Sequence, residues 1–146
     1  MRTLGVDYGS ARIGLAISDP TGLLAQSLTV LARESDDQAA RAIREMAREH
    51  GVEEIVVGYP RHMNGSAGER AVQSEAFAER LRAETGLPVV LYDERLTTVA
   101  AERMLIAADV SRRRRKQVID AVAATVLLQG YLDWKRSHTQ KRGGTD

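Results

Sequence analysis

The chain has 146 residues, enough for one domain with a sizeable core, and it has no cysteine, which excludes a disulfide framework, a thiolate nucleophile and a thiolate zinc site. It shows neither a basic leader with a long apolar stretch nor a run of about 18 apolar residues, so a cytoplasmic setting without membrane association is expected. The formal net charge is only +1, yet Arg112, Arg113, Arg114, Arg115 and Lys116 form a block, and Lys135, Arg136, Lys141 and Arg142 lie near the end. A nearly neutral protein can still carry a local polyanion site.

In chain order, residues 2–8 read as a strand, and 12–33 as two more strands joined at Asp19-Pro20-Thr21-Gly22, a turn by its Pro and Gly positions. From Asp36 the apolar residues Ala39, Ile43, Met46 and Ala47 recur at helical spacing, and His50-Gly51 closes the segment. Residues 53–60 form a short, continuously apolar strand, expected to be buried on both faces. After a loop at 61–68 a helix is expected from about Glu69 to Glu84, with Val72, Ala76 and Leu81 inward. Residues 88–94 are the fifth strand. A helix capped by Thr97 or Thr98 runs to Ala107, the arginine block follows as a loop, and the last helix spans Gln117 to about Lys135. This pattern is an α/β domain over residues 1–135: an antiparallel meander extended by parallel strands into a five-stranded mixed sheet flanked by helices, with residues 136–146 as a disordered basic tail.

Three acids stand at element ends in this reading. Asp7 lies near the carboxyl end of the first strand, where open α/β sheets present their ligands. Glu94, after Asp93, ends the fifth strand, and Asp120 shares a helical stripe with Ala124, Leu127 and Tyr131. Taken singly, each has a plainer use: a turn cap for Asp7, a surface ion pair with Arg95 for Glu94, a first-turn helix acid for Asp120. Brought together they repel, unless a cation or a shared proton compensates. An oxygen-only donor set suits Mg²⁺ or Mn²⁺ rather than zinc. Residues 112–116 stand close before Asp120, so a polyanion held there lies near the acids, and the few aromatics favour contact with the backbone over base stacking. Arg12 is counted with the block as a nucleic-acid contact. Gly9 and Gly14 resemble the start of a P-loop, but Leu15 stands where the lysine is required. His62 lies in the loop after the fourth strand and reads as a solvated histidine.

The stretches GVDYGSARIGLA (5–16), GYPRHMNGS (58–66), DERLTT (93–98) and DAVAATVLLQ (120–129) resemble, in order, the motifs of the YqgF/RuvX family of small bacterial proteins with a ribonuclease H-like fold. Members are described as Holliday-junction resolvases and as nucleases maturing the 5′ end of pre-16S ribosomal RNA. The resemblance covers about residues 1–135 and implies an endonuclease in which Asp7, Glu94 and Asp120 hold the metal. Two-metal hydrolysis of that kind leaves a 5′-phosphate and a 3′-hydroxyl. Asn64 departs from an Asp often found in the loop motif, and Ala123 stands where some related resolvases have a further acid. The implied partner is branched DNA or precursor rRNA, and symmetric cutting of a four-way junction goes with a homodimer. Two other readings remain at this stage: a nucleotide-binding protein of the actin/hexokinase type, which normally needs a second domain that 146 residues do not supply, and a non-catalytic nucleic-acid-binding module on the same fold.

Overall fold

The computed structural model describes residues 1–59, 66–93 and 112–143, with side chains for these except 66–67, 112–121 and 139–143. Five strands, β1 (Thr3–Tyr8), β2 (Arg12–Ser18), β3 (Ala25–Ala32), β4 (Glu54–Tyr59) and β5 (Val89–Asp93), form one sheet in the order β3-β2-β1-β4-β5. The meander β1–β3 is antiparallel, while β4 and β5 add parallel to β1. This is the mixed sheet expected from the sequence, with β1 at its centre.

Two helices cover one face. In α1 (Asp36–His50), Ser35 caps the first turn by accepting from the Gln38 amide, and Gly51 ends the helix at φ 65°, a left-handed value that favours glycine. Ala39, Ala40, Ile43 and Ala47 are buried against Leu4, Val6, Ile13, Leu15 and Ile55 of the sheet. The second helix, α2 (Ser66–Thr85), buries Ser74, Phe77, Ala78 and Leu81, whereas Val72 and Ala76 are exposed. Leu81 is inward as expected, but Val72 and Ala76 are not: Phe77, the one large aromatic of the helix, sets the inward direction by packing on Tyr8 at 4.6 Å between ring centroids. Arg80 bridges Asp37 of α1 and Glu84 of α2, and Arg44 joins Glu84 from the other side.

The opposite face carries the long helix α3 (Arg112–Gly143). Two expectations change here. The basic block opens this helix instead of forming a loop, and the helix continues through Gly143, so residues 136–143 are not an irregular tail. Arg, Lys and Gln are strong helix formers, and the apolar core of the helix supplies the tertiary support that extends it in both directions. Ala124, Leu128, Tyr131 and Leu132 pack on Ala16 and Val56. At the far end Lys135 pairs with the buried carboxylate of Glu54 at 3.0 and 3.2 Å, and Thr3 donates to Glu54 at 3.3 Å. Burial and the neighbouring Glu54 push the Tyr131 phenol up. Gln129 reaches the edge of the sheet, accepting from the Ala25 amide at 2.9 Å and donating to the Leu23 carbonyl at 3.0 Å.

Candidate active site

Asp7 lies one residue before the end of the central strand, at the carboxyl edge of the parallel strands. Its ladder neighbours explain how a half-buried carboxylate fits there. Asp7 pairs with Gly14 on β2, and because Val6 pairs with Val57, Asp7 is level with Gly58 on β4. Both flanking positions lack a side chain, so neither ladder neighbour crowds the acid. It interacts with other groups of the protein.

Alternation along the strand sets Asp7 on the same face as Gly5, the face covered by α3. The helix approaches unusually closely: a Cβ added at Gly5 would lie 2.8 Å from Leu128 Cβ and 3.4 Å from the Ala124 carbonyl oxygen. Ala124 and Leu128 thus rest over Gly5, while Lys135, further along, reaches Glu54 beside Thr3. The helix therefore runs antiparallel to β1, and its earlier residues lie toward the Asp7 end.

Of the other expected site residues, Asp120 is on α3, four residues before the buried Ala124; its backbone is helical and its side chain lies outside those described. Glu94 directly follows β5 and lies outside the described residues, as do His62, Asn64 and the expected helix at 97–107. Val90 and Tyr92 of β5 pack toward α3, so alternation turns Asp93, paired with Tyr59, to the other face. Among the described residues no group of three His, Asp or Glu is arranged to hold a metal. Arg12 opens β2, at the turn that follows Asp7 and Tyr8. Arg112–Lys116 occupy the first turns of α3, where no acid is present.

Sequence reasoning missed Arg70 and Gln73, which face the Tyr8–Arg12 turn across a cavity. The signal was present: Arg70 precedes the buried Ser74 by four residues and Phe77 by seven, so the correct phase of α2 brings it to the sheet edge.

Comparison with known proteins adds an independent line. The chain is 58% identical over 133 residues to a protein of Moorella thermoacetica named "Putative pre-16S rRNA nuclease", covering 91% of this chain and 95% of that one. A Geobacillus kaustophilus protein of the same name is 56% identical over 138 residues, covering 93% and 100%. Among solved structures, T. thermophilus RuvC in complex with a Holliday junction substrate superposes with a TM-score of 0.54 at 18% identity over 87% of this chain and 91% of that one. The fowlpox virus Holliday junction resolvase gives 0.56 at 12% identity over 91% and 99%. These likenesses show the fold, a ribonuclease H-like sheet of the RuvC type. No helix among the described residues is long and apolar enough to cross a membrane. The family model described as "RuvX: Holliday junction resolvase" matches residues 1–134, and the chain belongs to that family.

Proposed function

We propose that the chain is a divalent-metal-dependent endonuclease that hydrolyses phosphodiester bonds of structured nucleic acid, with precursor 16S rRNA as the substrate that its relatives' names favour. The observation that carries this reading is the setting of Asp7, an acid between two glycine positions at the end of the central strand, beneath a helix held close by Gly5. A step of two residues from Gly5 to Asp7 is roughly 6.6 Å, which matches about four residues of helix. Counting back from Ala124 and Leu128, this arithmetic reaches Asp120 and Ala124 at the level of Asp7. Two carboxylates from rigid elements, with Glu94 two residues beyond Tyr92, make an oxygen-only donor set that fits Mg²⁺ or Mn²⁺.

Asp7, Glu94 and Asp120 would hold a divalent ion, which when bound would supply Lewis-acid polarisation of the scissile phosphate. The remaining work falls to the chain itself. The paired strand fixes the direction of Asp7, the glycines beside it leave room for a phosphate, and the cations of α3 hold the strand in place. Lys116 precedes Asp120 by four residues and Arg113 by seven, so these two members of the block share the stripe of the acid. Cations at a helix N-terminus oppose the macrodipole, and a bound polyanion offsets that cost. Arg12 adds a cation at the Asp7 end of the sheet.

The test compares cleavage of a structured precursor RNA and of a four-way DNA junction, each with Mg²⁺, Mn²⁺ or chelator. Asp7→Asn, Glu94→Gln and Asp120→Asn are each expected to abolish cleavage with binding retained. Products are expected to carry a 5′-phosphate. Cutting of the junction in preference to the RNA selects the resolvase reading that the family description favours. Binding without metal-dependent cleavage of either substrate selects the non-catalytic module and overturns the proposal.

A further inference from the structure

On the face of the sheet opposite the acids, a cavity of about 420 Å³ lies between the Gly9–Ala11 turn and α2, lined also by Tyr8, Arg12, Arg70 and Gln73. Its volume falls within the roughly 300–1,000 Å³ of small-ligand sites. Among the described residues its lining includes two arginines, a glutamine, a serine and a tyrosine, and no Asp or Glu. Because Tyr8 follows Asp7 directly and alternation turns the two side chains to opposite faces, the cavity and the acid share one end of one strand.

The walls are braced from behind. A Cβ at Gly9 would come within 2.4 Å of the Arg12 carbonyl oxygen, so the turn closes as tightly as glycine allows. Arg33 donates to the Ser10 carbonyl at 3.2 Å through its side chain and to the Ala11 carbonyl at 2.9 Å through its amide. The Tyr8 hydroxyl donates to Asp36 at 2.6 Å, and Arg33 donates to the same oxygen at 2.9 Å. Asp36 is thereby engaged with two donors behind the cavity.

We propose that this cavity is a phosphate subsite for the nucleic-acid strand, in which Arg12 and Arg70 hold a backbone phosphate next to the one that is cut. Guanidinium groups bind phosphate oxygens through paired hydrogen bonds and keep their charge at any working pH. A strand crossing the end of β1 meets Asp7 on one face and Arg70 on the other, with Arg12, which alternation sets on the face of Asp7, at the rim between them, so the subsite fixes which phosphate comes to Asp7. The inference rests on the nuclease reading and deepens it by adding α2 to the substrate interface.

The test uses the full chain carrying Asp7→Asn, in chelator, with a labelled RNA hairpin bearing a single-stranded extension. Its Kd is measured at several salt concentrations. Adding Arg70→Gln is expected to lower the slope of log affinity against log salt by about 0.7 to 0.9, with a similar further loss on adding Arg12→Gln. Arg48→Gln, an exposed cation at the far end of α1, serves as the control and leaves the slope unchanged. In the otherwise wild-type enzyme, Arg70→Gln is expected to raise KM several-fold with kcat retained. An unchanged slope in Arg70→Gln, or an equal loss in Arg48→Gln, overturns the subsite. Competition by millimolar inorganic phosphate that Arg70→Gln abolishes, with no change in the RNA slope, assigns the cavity to a free anion and overturns it as well. Failure of the nuclease reading shows separately, as binding without metal-dependent cleavage by the wild-type chain, and leaves the binding slopes to decide the subsite on their own.

Discussion

Replacing Gly5 by Ala tests the link between the packing of α3 and the proposed acidic site. The new Cβ would sit 2.8 Å from Leu128 Cβ, whereas carbon atoms in good contact are roughly 3.5–4.0 Å apart. The two must separate by about 1 Å, and Leu128 Cβ is fixed to the helix backbone and cannot swing aside. The strand is held by ladders to β2 and β4, so α3 is the element that moves. Overpacking of this kind costs about 1–3 kcal/mol, partly offset by roughly 0.4–1 kcal/mol from the smaller entropy of the unfolded chain. The unfolding temperature is expected to fall by about 2–8 °C. Cleavage is expected to suffer more, up to about 100-fold, because α3 carries Asp120 and a displacement near 1 Å is costly at a reacting centre. Thermal unfolding by circular dichroism and cleavage of the structured RNA under saturating metal measure the two effects. A Gly5→Ala protein with wild-type melting and turnover refutes the close-packing argument and the alignment of Asp120 with Asp7 built on it.

Gly130→Ala is expected to have the opposite sign. A Cβ there meets the Tyr92 ring and hydroxyl at an ordinary 3.6–3.7 Å, so the gain in helix propensity, about 1 kcal/mol, appears as a melting temperature about 3 °C higher. Lys135→Met strands the buried Glu54 carboxylate and is expected to cost about 1–3 kcal/mol in urea unfolding, most of it recovered when Glu54→Gln is added. Asp19 accepts from the Thr21 hydroxyl and from the Leu24 and Leu23 amides, which pulls its carboxyl down to about 2 from 3.8. A folded-state value below the unfolded one adds stability above about pH 4 that is lost as the pH falls toward 2. Asp19→Asn is therefore expected to flatten the fall in melting temperature over that interval, and a profile parallel to wild type argues against it.

The sheet was legible because its signals are local. Continuous apolar strands, the turn at 19–22 and the Gly51 stop are written in adjacent residues, and each lies within a residue or two of its expected place. What the sequence obscured depended on tertiary contacts. The phase of α2 is set by Phe77 meeting Tyr8, a partner 69 positions away in the chain, so Val72 looked like a core residue although it is 65% exposed. The start of α3 was hidden because five consecutive cations suggest solvated loop, although each favours helix. Asp7 could be recognised from its place at a strand end. The reason that place tolerates charge, glycine on both flanking strands, emerges only from the register.

The hold of Gln129 on the Leu23–Ala25 segment bears on how the protein fails when heated. β3 is an edge strand of eight uncharged residues, AQSLTVLA, with β2 as its neighbour on one side, and strands of that kind are templates for pairing between chains. The Gln129 amide engages the main chain at the start of β3 on both a donor and an acceptor, much as another strand would. Detachment of α3 removes that hold from the start of β3. Heat inactivation is therefore expected to be concentration-dependent and irreversible, with insoluble protein forming as the helix leaves. Substitutions that loosen α3 are then expected to reveal themselves first as poor yield of dissolved protein, and the helix that bears Asp120 also guards the chain against self-association.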